Sequence, residues 1–85
     1  MDKAFRYYSL DVQGGTEQLP NGDLETLQEA VGGYIEAVTI TDNMVMYVNE
    51  EGLLQGLPLN VMATGMSGRH IVGNVVVAVE KETSK

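Results

Sequence analysis

Cysteine is absent, so the 85-residue chain can build no disulfide framework, no thiolate metal site and no cysteine nucleophile. Positive charge is scarce. Lys3, Arg6, Arg69, Lys81 and Lys85 are its only lysines and arginines, and they form no run. Neutralising phosphates takes clustered basic residues, so direct nucleic-acid binding is not expected of a chain with a net charge of −7. No apolar run reaches membrane-spanning length, and Met1-Asp2-Lys3-Ala4-Phe5-Arg6-Tyr7-Tyr8 places charges and tyrosines where a signal peptide needs unbroken apolar sequence. The expectation is a cytosolic (cytoplasmic) protein without membrane contact. One histidine, His70, and carboxylates without calcium-loop spacing leave no metal site. Ser9, Ser67 and Ser84 have no base within any recognisable motif, so no catalytic residue and no cofactor is predicted and the chain is not expected to be an enzyme.

What is present suffices for a fold. Hydrophobic residues make up 44% of the chain and charged residues 20%, which are globular proportions, and the length gives one domain over residues 1–85. Phe5 to Val12 reads as a first strand. Gln13-Gly14-Gly15-Thr16 and Leu19-Pro20-Asn21-Gly22 punctuate the chain, with Glu17-Gln18 a loop or a short return between them. Asp23 has the marks of a helix N-cap, Leu24, Leu27, Ala30 and Val31 give an apolar stripe, and Gly32-Gly33 stops the helix.

Tyr34 to Thr41 and Met44 to Val48 form a hairpin around Thr41-Asp42-Asn43. Asn49-Glu50-Glu51-Gly52 is a further turn with glycine at its positive-φ position, after which Leu53 and Leu54 are expected to pair back briefly. Gly56-Leu57-Pro58-Leu59-Asn60 leaves the sheet, Asn60 to Ala63 makes a single helical turn, and Thr64 to Gly68 is a loop. The valine-rich stretch Ile71 to Glu80 suits a central strand buried on both faces or one covered by the helix, and residues 81–85 should fray. The predicted class is α+β, a small, mostly antiparallel sheet of about four strands with one short helix packed on one face.

Chemistry has few places to sit. Glu50 and Glu51 are neighbours in a turn, where water solvates them, so they are read as a partner contact rather than an acid–base pair. Arg69 and His70, inside Gly68-Arg69-His70-Ile71-Val72-Gly73-Asn74, offer a cation beside glycine amides that could hold a nucleotide or other small anion; the structural reading is a loop glycine followed by a strand with Gly73 at a bulge or close approach. Tyr34 and Tyr47 can stack on a ligand or pack on the helix, and Met44, Met46, Met62 and Met66 can form an adaptable surface or fill the core. Leu57-Pro58-Leu59-Asn60 is either an exposed apolar bulge, which makes Asn60 a candidate contact, or a lid on the core. An apolar sheet edge makes a homodimer a further expectation.

Leu27-Gln28, Val31-Gly32-Gly33-Tyr34-Ile35-Glu36, Asn49-Glu50-Glu51-Gly52, Leu57-Pro58-Leu59-Asn60, and Ile71 with Gly73-Asn74 carry a resemblance. Over roughly Asp23 to Val79 the chain resembles a family of short domains carried by bacteriophages, plasmids and their bacterial hosts, the domain-of-unknown-function family 3846. That resemblance implies a mobile-element setting and a small accessory role, with Gly32 to Glu36 and Asn49 to Asn60 as a shared surface or as helix stop, turn and lid. From the acidic surface and the lack of a catalytic motif, the leading expectation is a non-enzymatic phage or mobile-element accessory protein that binds a host protein. A small-anion binder and a structural or virion-associated module are the alternatives.

Overall fold

A computed structural model describes residues 4–81. The elements run β1 (Phe5–Leu10), β2 (Thr16–Gln18), α1 (Leu24–Val31), β3 (Ile35–Thr41), β4 (Met44–Asn49), α2 (Val61–Ser67) and β5 (Val75–Glu80). The strands form one sheet in the order β2-β1-β5-β4-β3, and every pairing is antiparallel. The architecture is therefore α+β, with β5 central as its valines predict. Among the described residues it has five strands and two helices rather than about four and one.

The additions have local causes. Glu17-Gln18 is the short return: with Thr16 it pairs with Tyr8 to Leu10 and is exposed throughout. The second helix, α2, replaces the expected single turn and loop. Gly65 lowers helix propensity by about 1 kcal/mol against alanine, but tertiary bonds prevail over it. Asn60 Oδ1 accepts from the Ala63 N–H, Ala63 is wholly buried, and the Thr64 hydroxyl donates to the Ile71 carbonyl while accepting from the Ile71 N–H.

The two faces of the sheet bury separate cores. On one, α1 sets Leu27 and Val31 against Val76, with Tyr7, Leu19, Ile35 and Tyr47 around them. Burial there, with Tyr47 and then Asp23 nearby, pushes the Tyr7 phenol above its usual pKa. On the other face, α2 places Ala63 over Leu10, Val38, Met46, Val48, Ile71, Val75 and Val77. A single helix on one face would have left this second apolar surface uncovered.

Gly32 stops α1 as predicted, with φ 81° and its N–H donating to the Gln28 carbonyl. Asp23 occupies the N-cap position without a side-chain cap bond; Asn21 Oδ1 instead accepts from the Asp23 N–H (3.0 Å) and the Thr26 hydroxyl (2.7 Å). The final strand begins at Val75 rather than Ile71, because Val72 bridges Leu59 and Gly73 adopts φ 80°. The close approach expected at Gly73 is present: a Cβ there would lie 2.7 Å from Leu57 Cδ1. Leu53 and Leu54 do not pair back. Residues 50–56 instead form successive turns, closed by Gln55 N–H to the Glu51 carbonyl and Leu57 N–H to the Gly52 carbonyl. Gly52 is not at positive φ either; glycine is needed there because a Cβ would meet Val72 Cγ2 at 2.7 Å. Lys81 is held by its N–H to the Ala4 carbonyl, and the rest of the tail expected to fray lies outside the described residues.

Candidate functional site

At the corner where β3 and β4 meet the 50–56 turns, a groove of about 390 Å³ opens between the sheet and the segment entering β5. Val38, Val48, Ile71 and Val72 give it an apolar lining; Glu36, Glu50, Leu53, Leu54, Arg69 and His70 bring exposed side chains to it.

Backbone bonding sets each position. Glu36 stands opposite Val48 in the β3–β4 register. The Glu50 N–H donates to the Tyr34 carbonyl, which continues the ladder one step past β4. Asn49 then turns the chain: its Oδ1 accepts from the Glu51 N–H (2.8 Å), and its Nδ2 donates to the Val31 carbonyl and Gln55 Oε1, both at 3.2 Å. The result holds Leu53 and Leu54 outward, 72% and 87% exposed. On the opposite wall, Arg69 follows the left-handed Gly68 that ends α2, and its N–H donates to the Ser67 hydroxyl. Ile71, clipped by Thr64, holds the other end of this short span.

The groove thus unites Glu50 with Arg69 and His70, which sequence reasoning had assigned to separate surfaces. Glu51 is exposed but does not line it, so the two neighbouring carboxylates diverge. Tyr34 is exposed outside the groove and contributes its carbonyl to the ladder. Asn60 is 0% exposed, with Nδ2 donating to the Leu10 and Gly73 carbonyls and Oδ1 spent on the α2 cap; it is architecture, not a contact surface. Leu53 and Leu54 were missed as site residues because they were read as strand. Their signal was an adjacent apolar pair between Gly52 and Gly56, where a turn has no core to bury them in.

Met46 fills the core, Met44 is half-buried against it, and Met62 and Met66 are exposed on α2. Among the described residues no group of three or more histidine, cysteine, aspartate or glutamate side chains is placed to hold a metal, and no helix is long and apolar enough to cross a membrane.

The family model for the domain of unknown function DUF3846 matches residues 9–85. The chain belongs to that family. The match covers all of α1, α2 and β2 to β5, and includes residues 9–22, in which no family pattern had been legible. No curated protein and no solved structure matches this DUF3846 chain.

Proposed function

We propose that this DUF3846 chain is a non-enzymatic accessory domain of a phage or other mobile element, acting in the cytosol by binding a host protein through the groove. The observation that carries this reading is the pair Leu53 and Leu54, held out at the groove beside Glu36 and Glu50. A leucine buried in full on association contributes about 1.5–3 kcal/mol, enough for two such side chains to anchor a small interface. The flanking carboxylates and the net charge of −7 favour a basic partner surface. The mobile-element setting rests on the family resemblance.

An anion at Arg69 and His70 is less well supported. Glu36 and Glu50 share the groove with them, and the glycine amides that would cradle the anion are engaged: Gly68 N–H donates to the Thr64 carbonyl and Gly73 N–H to the Pro58 carbonyl. A nucleotide panel in a thermal-shift assay tests that alternative, since ligand at a hundred times its dissociation constant stabilises by about 2.7 kcal/mol. The leading reading is tested by affinity capture from host lysate with the native chain and with Leu54→Glu and the double variant Glu36→Lys, Glu50→Lys. One stoichiometric host protein should be captured by the native chain, lost with Leu54→Glu and weakened at low salt with the double variant. Equal capture by all three overturns the assigned surface.

A further inference from the structure

Among the described residues, the groove borders the long open edge of the sheet, β3. At the opposite edge β2 has three residues, whereas β3 has seven. The hydrogen-bond phase of β3 follows from its last rung. Because the Glu50 N–H donates to the Tyr34 carbonyl, the pairs Glu36/Val48 and Val38/Met46 carry the ladder bonds. The N–H and C=O groups of Ile35, Ala37 and Thr39 therefore point away from β4. Natural sheets commonly guard such an edge with lysine, proline or an early bulge. β3 has neither residue, and its irregularity lies at the far end, between Thr39 and Thr41.

Resting on the groove as partner site, we infer that the bound segment of the partner is extended and adds to β3 as a sixth, antiparallel strand. Its alternate side chains would then lie over Glu36 and Val38, the two β3 residues that line the groove. Opposite Glu36, with Glu50 close to the same corner, the segment carries lysine or arginine; opposite Val38 it carries an apolar residue. Charge argues against a second copy of this chain as the occupant: pairing two β3 edges about Ala37 sets each Glu36 opposite a Val38 and joins two bodies of net charge −7. Backbone bonds supply the attachment and the two groove-facing positions supply the selection, as in other cases of strand addition.

Ala37 allows a backbone test, because proline there removes an outward N–H and no β3–β4 bond, a placement that edge strands tolerate. The probe is a fluorescein-labelled peptide, Val-Thr-Val-Thr-Lys-Thr-Lys, whose second valine and first lysine fall opposite Val38 and Glu36, read by fluorescence polarisation. The native chain and Ala37→Thr should bind it. Ala37→Pro should bind about tenfold or more weakly, the loss of one backbone bond plus exclusion by the ring. The peptide N-methylated at the threonine opposite Ala37 should lose affinity equally on the native chain, which keeps the test independent of how Ala37→Pro folds. If Ala37→Pro and the N-methyl peptide bind normally while Leu54→Glu fails to bind, strand addition is overturned and the groove stands. If Leu54→Glu binds normally while both backbone changes abolish binding, the edge stands and the leucine anchor falls. No binding by the native chain up to about 1 mM overturns the inference, as does light scattering that shows a native dimer made monomeric by Ala37→Pro.

Discussion

Asn49 and Asn60 are the two buried polar residues of the described chain, and they do opposite things with the segments that follow them. Asn60 ties Leu10, Gly73 and Ala63 together, joining parts of the chain as much as fifty positions apart, and the helix it caps turns Ala63 into the core. Asn49 ties α1, through the Val31 carbonyl, to the turn at Glu51 and Gln55, and that turn sends Leu53 and Leu54 into solvent. Both amides bond through Nδ2 as well as Oδ1 within the fold. One closes the fold, while the other holds open a surface that contributes little to folding. A buried asparagine in this chain marks a constructed corner, and the fate of the apolar residues beside it tells whether the corner is structural or a site.

The largest effect should come from removing the closing asparagine. Asn60→Ala leaves the Leu10 and Gly73 carbonyls and the Ala63 N–H without their partner at a position that is 0% exposed, at a cost of about 3–5 kcal/mol if each orphan costs about 1–3 kcal/mol and the site partly relaxes. Urea denaturation should show a correspondingly lower midpoint. A loss below about 1 kcal/mol, within the range of ordinary surface substitutions and their error, would mean that Asn60 is not the keystone of the α2 face. Asn49→Ala should cost less, about 1–2 kcal/mol, because of its three partners only the Val31 carbonyl is buried, while the Glu51 N–H and the Gln55 side chain lie on exposed residues that water can serve. Unlike Asn60→Ala, it should weaken partner capture even under conditions where the chain remains folded, since the turn carrying the leucines loses its anchor. Equal stability losses for the two variants would break the contrast between them.

The legibility of these corners in the sequence differs for the same reason. α1 and the β3–β4 hairpin were readable because their signals are local: a helical stripe ended by Gly32, and β-branched runs separated by Asp42-Asn43. The central place of β5 was readable from its valines. α2 was not, because what overrides Gly65 is a cap, a buried alanine and a hydroxyl clip to Ile71, and the clip joins residues whose proximity only the fold provides. The groove is wholly tertiary. Glu36, Glu50 and Arg69 lie on three different segments, and nothing in their spacing says that they share one opening. Gly52 shows the limit clearly: a turn glycine was readable, but its reason, the approach of Val72, was not.

The smallest expected effect on folding is also the sharpest test of the open corner. With its side chain almost fully in water, Leu54 gives up little burial on substitution, so Leu54→Glu should leave thermal and urea stability within about 0.5 kcal/mol of the native chain. The same change removes the more exposed of the two leucines and puts a carboxylate where the partner's apolar surface would close on it, so host-protein capture should be lost despite the added negative charge. Stability and binding would thereby separate at this corner as they cannot at Asn60, where any loss of binding would follow from loss of the fold. Should Leu54→Glu destabilise by as much as Asn49→Ala, the leucine would be packing in solution against part of its own chain. The turn would then be a lid over the groove, and the outward pair would cease to be the partner's anchor.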